Sequence, residues 1–146
     1  VLRTYQPSVV FLPYEDDRHP DHGQATRLVE EALFNAGIVK YASNEQAAHR
    51  VWQVYYYFIN GFAKPDLLVD ISEHIHTKRA ALLAYKSQFT KQEGTVETRL
   101  NTGFINVIEG REQLFGKMKQ VAYAEGFILK DPILLANCLP QSGKGG

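Results

Sequence analysis

Ionisable groups concentrate in one octet, Glu15-Asp16-Asp17-Arg18-His19-Pro20-Asp21-His22. Two imidazoles three positions apart, with a carboxylate beside the second, are the materials of a metal site or an acid–base site. Imidazole changes charge near neutral pH, its ring nitrogens bind metals, and an adjacent carboxylate such as Asp21 can hold one tautomer. A helix would place His19 and His22 on one face, whereas Pro20 makes an irregular turn an equal alternative. On types and spacing alone, a metal or catalytic site and a polar surface loop with a capping Asp21 both stay open.

The flanking residues place this octet where a strand hands over to a helix. Val9-Val10-Phe11-Leu12, closed by Pro13, is an apolar run of strand length, of the kind that suits burial on both faces. After Gly23, residues 24–36 repeat Ala25, Leu28, Val29, Ala32, Leu33 and Ala36 at helical spacing, and Gly37 ends the helix. The carboxyl end of a strand is the usual ligand position in open α/β sheets. Further strands are expected at 51–59, rich in β-branched and aromatic residues, and at 67–71. Ser72 and Glu73 are placed to start a helix running to about residue 86. Residues 87–96 read as irregular and 101–119 as a helix weakened by Gly103 and Gly110. Residues 121–129 and 133–135 are short apolar pieces, each a strand or a covering loop. The 141–146 tail is expected to fray. The opening Val1-Leu2-Arg3-Thr4-Tyr5-Gln6-Pro7 reads as the last turn of a helix stopped by proline, an odd place for a domain to begin. The expectation is a piece of a longer protein.

With 146 residues, the chain has the length of one domain and can bury roughly two-thirds of its unfolded surface. Sixteen Lys and Arg balance sixteen Asp and Glu, so no electrostatic case exists for nucleic acid or an anionic membrane as partner. The single cysteine, Cys138, excludes an internal disulfide and a thiolate zinc cluster, in keeping with a cytoplasmic location. No apolar run approaches the roughly 18 residues of a membrane span. Eight Tyr and eight Phe argue against disorder.

Other candidates carry less. His74-Ile75-His76 would send its imidazoles to different sides of a helix start, which favours surface polarity over metal binding. His49-Arg50 reads as a solvated pair before a strand. Glu73 suits the helix dipole better than a general base. Tyr55-Tyr56-Tyr57 could stack bases, but without a basic groove it reads as a sheet strand. Cys138 has no histidine or CxxC neighbour and reads as a bystander.

Arg18-His19-Pro20-Asp21-His22, followed by the helix ending Glu30-Glu31-Ala32-Leu33-Phe34-Asn35-Ala36-Gly37, resembles the zinc-dependent PIG-L/LmbE-like deacetylases. Asn60-Gly61-Phe62, Asp70-Ile71-Ser72, Tyr85-Lys86-Ser87-Gln88-Phe89 and Tyr123-Ala124-Glu125-Gly126-Phe127 resemble the bacillithiol-biosynthesis branch of that family. The blocks follow one another in order from residue 1 to about residue 135. The resemblance implies an α/β, Rossmann-like, largely parallel sheet flanked by helices. Residues 1–140 would be the C-terminal part of a single domain, with the first β-α units absent.

It also implies an N-acetyl hydrolase acting on a small N-acetylglucosaminyl substrate of the N-acetylglucosaminyl malate type, with one Zn2+ held by two His and one Asp. His22 matches a zinc ligand. His19 matches the histidine facing the scissile amide, and Asp21 the residue that orients it. Phe104 stands where relatives can carry an oxyanion-binding tyrosine. Glu125 lies in a family-like block, with buried hydrogen-bonding and catalytic roles both open. The family's Ala-His-Pro-Asp-Asp type motif, which supplies the other ligands and the general base, has no counterpart here. Taken literally, the chain alone is expected to be inactive, a structural or oligomerising part, or to work with a complementary N-terminal polypeptide. Homo-oligomerisation is implied by the family. The same chemistry on a chitin disaccharide or an inositol-linked N-acetylglucosamine is the enzymatic alternative.

Overall fold

The computed structural model describes residues 1–41, 46–91, 94 and 96–135. The expectations for Cys138 and for the 141–146 tail lie outside the described residues. In chain order the elements are α1 (Leu2–Tyr5), β1 (Val9–Pro13), α2 (Pro20–Ala36), β2 (Gln53–Tyr57) and β3 (Leu67–Asp70). There follow α3 (Ile75–Ala84), α4 (Lys86–Phe89), α5 (Phe104–Lys117) and β4 (Ala124–Ile128). The sheet order is β1-β2-β4-β3.

β1 and β2 pair in parallel, from Val9 opposite Gln53 to Pro13 opposite Tyr57. Parallel neighbours need a long crossover, and α2 is its helix. β4 runs antiparallel to both neighbours, meeting Tyr57 with Phe127 on one side and Asp70 with Ala124 on the other. Three strands therefore share a direction, and β4 is inserted against them. The α/β architecture is as expected, while the sheet is mixed. No helix among the described residues is long and apolar enough to cross a membrane.

The core lies between α5 and the sheet. Phe115 is fully buried, stacked on Phe62 with centroids 5.7 Å apart and tilted against Phe58 at 5.9 Å. Gly126 of β4 makes this packing possible, since a Cβ there would stand 2.6 Å from the Phe115 ring. Tyr14 meets Phe58 edge-on. The other face of the sheet carries Phe11, Tyr55 and Phe127 in mutual contact at 5.3–5.8 Å. Phe11 remains 55% exposed, so β1 is not covered on both faces by the described residues.

Several boundaries differ from the sequence expectation. α2 begins at Pro20 and not near residue 24, because proline at the first helical position forgoes an N–H that would lack a partner anyway. Gly23 is then an interior residue whose Cβ would meet the Glu15 carbonyl at 3.0 Å, a close approach of helix and loop. The carbonyls at the C-terminal end of α2 accept from Arg3, at 3.1 Å for Ala36 and 2.6 Å for Ile38 just beyond the helix. His74, not Ser72, occupies the N-cap position of α3, and its side chain makes no capping bond. The Ser72 hydroxyl instead donates to Asp70 Oδ1 at 2.6 Å and closes the turn after β3. A short α4 forms within the stretch expected to be irregular. Gly103 stands just before α5 at φ 90°, where glycine is free of strain, and residues 133–135 add no element.

Candidate functional site

The loop between β1 and α2 is organised by a residue that the motif reading did not single out. The Asp17 side chain is only 3% exposed. Its Oδ1 accepts from the His19 backbone N–H, from His22 Nδ1 and from Asn60 Nδ2, each at 2.9 Å. Its Oδ2 accepts from the Asn60 backbone N–H at 2.9 Å. Burial works against the charge, but the donors of Asn60, His19 and His22 outweigh it and hold the Asp17 carboxyl well below the usual carboxylate range.

That ionisation fixes the chemistry of His22. An ionised carboxylate can only accept, so His22 Nδ1 must carry the shared hydrogen. A neutral ring then has its lone pair on Nε2. This is how a carboxylate behind an imidazole prepares a metal ligand.

His19 is held the other way round. As N-cap of α2, its Nδ1 accepts the Asp21 backbone N–H at 3.3 Å. The neutral ring therefore carries its proton on Nε2. The two rings stack, with centroids 5.1 Å apart and planes 30° apart. One ring of the pair thus offers a lone pair at Nε2 and the other an N–H. The Asp21 carboxylate is 78% exposed and lies 3.8 Å from His19 Nδ1. The carboxylate bonded to the His22 ring is that of Asp17.

Buried contacts hold the helix in place behind these residues. Thr26, fully buried, places its hydroxyl 2.6 Å from the Pro13 carbonyl and 3.1 Å from that of His22. One helical turn further on, Lys130 bridges Glu15 and Glu30 at 2.7 Å each, and the Tyr56 hydroxyl donates to Glu30 at 2.6 Å. Burial of the phenol and the Glu30 charge push the Tyr56 hydroxyl up. Burial opposes the Glu30 charge, but Lys130 and Tyr56 hold that carboxyl below its ordinary value.

His19 and His22 line a cavity of about 710 Å³, together with Arg18, Tyr57, Tyr85 and Phe104 among others. That volume suits a small organic ligand. Lys78, Arg111 and Glu125 line the same cavity. Phe104 offers no donor there.

The remaining histidines lie elsewhere. His49 is no solvated pair with Arg50: its Nε2 bonds the Pro7 carbonyl at 2.8 Å and ties β1's entry to the segment before β2. His74 and His76 belong to the start of α3. Among the described residues, no group of three His, Cys, Asp or Glu side chains could hold a metal ion. His22 thus fits as one metal ligand, and the described residues do not complete a set.

This pocket can be set beside known proteins. The chain is similar to a diacetylchitobiose deacetylase. That enzyme, from Thermococcus kodakarensis, is 31% identical over 148 aligned positions, which cover 94% of this chain and 51% of the relative. The chain therefore spans about half the length of this curated relative. Among solved structures, the conserved protein TT1542 from Thermus thermophilus superposes with a TM-score of 0.82 at 35% identity, covering 96% of this chain and 59% of that one. The N,N'-diacetylchitobiose deacetylase of Pyrococcus horikoshii gives a TM-score of 0.70 at 22% identity, covering 86% and 46%. The 4-carboxy-2-hydroxymuconate hydratase GalB of Pseudomonas putida KT2440 gives 0.71 at 23%, covering 94% and 58%. The last two establish a shared fold and nothing more. No family model matches the chain. Where the names speak of deacetylation, it is of chitin disaccharide and not of a bacillithiol precursor.

Proposed function

We propose that this chain supplies part of the active site of an N-acetylglucosaminide deacetylase, with a diacetylated chitin disaccharide as the preferred substrate class. The opposed tautomers of His19 and His22 at one cavity carry the reading. Similarity to a diacetylchitobiose deacetylase supports the substrate class over the N-acetylglucosaminyl malate suggested by the motif blocks.

In this reading the His19 Nε2–H faces the scissile amide. It donates a hydrogen bond to the carbonyl oxygen as negative charge develops there. The Asp21 backbone N–H on Nδ1, with the Asp21 carboxylate 3.8 Å away, orients the ring. His22, held by Asp17, offers Nε2 to a zinc ion whose remaining ligands come from outside the described residues, in the same polypeptide or a complementary one. Zinc bound there would polarise the acetyl carbonyl and lower the pKa of water. Phe104 leaves the oxyanion without a phenol donor at that position, so His19 carries more of this contact.

The experiment is His19→Ala in protein whose zinc site is complete. Zinc content should be retained, while acetate release from N,N'-diacetylchitobiose falls by about 10²–10⁴-fold. An unchanged rate would remove His19 from the chemistry.

A further inference from the structure

A second polar cluster faces the same cavity. Lys78 Nζ, on α3, bonds Glu125 Oε1 of β4 at 2.6 Å and Glu112 Oε1 of α5 at 2.8 Å. Glu112 is entirely buried, and its Oε1 also accepts from Arg111 Nη2 at 3.1 Å. Arg111 is itself anchored to the carbonyls of Gly61 at 3.0 Å and Ile59 at 3.2 Å. Lys78 and Glu125 both line the cavity that holds His19 and His22, whereas Glu112 lies behind them.

The arrangement is more than a structural ion pair requires. Two of the three Lys78 N–H groups are committed to carboxylates, which leaves one donor. The Glu125 side chain is 34% exposed, and its one hydrogen bond among the described residues is the Oε1 contact to Lys78. A fixed donor therefore stands beside a free acceptor at the cavity wall. The cluster's charges cancel, Lys78 and Arg111 against Glu112 and Glu125, so it gives no net attraction to an anion. An adjacent donor and acceptor with no net charge suit neighbouring hydroxyls, each of which must both donate and accept. Tyr57, Tyr85 and Phe104 on the same cavity give apolar surface for the C–H faces of a ring.

We propose that Lys78 and Glu125 form the hydroxyl-reading end of the pocket, binding the uncharged sugar ring of the substrate away from the scissile amide, with Glu112 buried behind them and Arg111 beside them on the cavity wall as the frame that fixes them. This rests on the N-acetylglucosaminide reading above. It adds which groups choose the sugar, and it assigns this end to a neutral ring and not to a carboxylate-bearing aglycone.

The test is an NMR titration, with N,N'-diacetylchitobiose, of protein whose zinc site is complete, following the imidazoles and the Lys78 and Glu125 side chains. Acetamide, which has the amide and no ring, serves as the comparison probe. The disaccharide should shift both ends of the pocket, and acetamide only the histidine end. Glu125→Gln and Lys78→Met should each weaken disaccharide binding about tenfold, the equivalent of one good hydrogen bond, and leave acetamide unchanged. Deoxy analogues lacking one ring hydroxyl should bind the unaltered chain weaker by a similar factor, which decides the matter even if a variant does not fold. A disaccharide that shifts His19 and leaves Lys78 and Glu125 unmoved would overturn this inference and spare the deacetylase reading. A disaccharide that shifts neither end would overturn both.

Discussion

Removing the Asp17 carboxylate tests the site most sharply, because one residue accepts four hydrogen bonds there. In Asp17→Ala, the donors of Asn60 and His22 lose their acceptor in a partly buried setting. Each buried donor left without an acceptor costs about 1–3 kcal/mol, and several are orphaned at once. Asp17→Asn is milder. Its carbonyl can take the Oδ1 position, but its amide then faces the Asn60 backbone N–H, donor against donor. One orphaned donor costs about 1–3 kcal/mol. Urea unfolding near neutral pH should therefore rank wild type above Asn above Ala.

The sign with pH follows from the depressed carboxyl. Its stabilisation is fully present above the unfolded carboxylate pKa of about 3.9 and is lost as pH falls through the lower folded value. The wild-type advantage over Asp17→Ala should thus narrow below about pH 4. Long-range 1H–15N NMR, recorded where the imidazoles are neutral, reads the tautomers directly. His22 should be protonated on Nδ1 in the wild type and in Asp17→Asn, and should shift towards the Nε2–H form in Asp17→Ala. A wild-type His22 protonated on Nε2, or a tautomer indifferent to Asp17→Ala, would refute the argument.

Other outcomes follow from the packing. Gly126→Ala drives a methyl to 2.6 Å from the Phe115 ring and should destabilise by about 1–3 kcal/mol, read from the shift in urea midpoint. Phe115→Ala, at the most buried position of the core, should cost about 3–5 kcal/mol by the same measurement. Glu112→Ala leaves Lys78 and Arg111 without their shared carboxylate and should cost a comparable amount. Lys130→Met should cost far less, since each of its ion pairs is partly exposed.

Much of the site could be read from local pattern, because strand, loop and helix follow one another directly. Val9 to Leu12 and the periodicity from Ala25 to Ala36 placed the octet at a strand's carboxyl end, and the structure puts it there. The helix start was misjudged because Pro20 and Gly23 read as breakers, whereas one occupies the first helical position and the other a close contact with Glu15. Asp17 escaped notice because its importance comes from Asn60, whose partnership depends on β2 ending beside the loop. Lys78 with Glu112 was illegible for the same reason, since three separate elements meet there. The antiparallel insertion of β4 also lies beyond local pattern: its apolar residues suit either direction, and only pairing with β2 and β3 decides it.

The central claim is that His22, held by Asp17, is a ligand of a catalytic zinc. Native mass spectrometry of the protein carrying these residues, read for polypeptide content and bound zinc, tests it most directly in wild type and His22→Ala. About one zinc per completed site is expected in the wild type, with loss of tight zinc binding in the variant. Zinc held equally well by His22→Ala would contradict it.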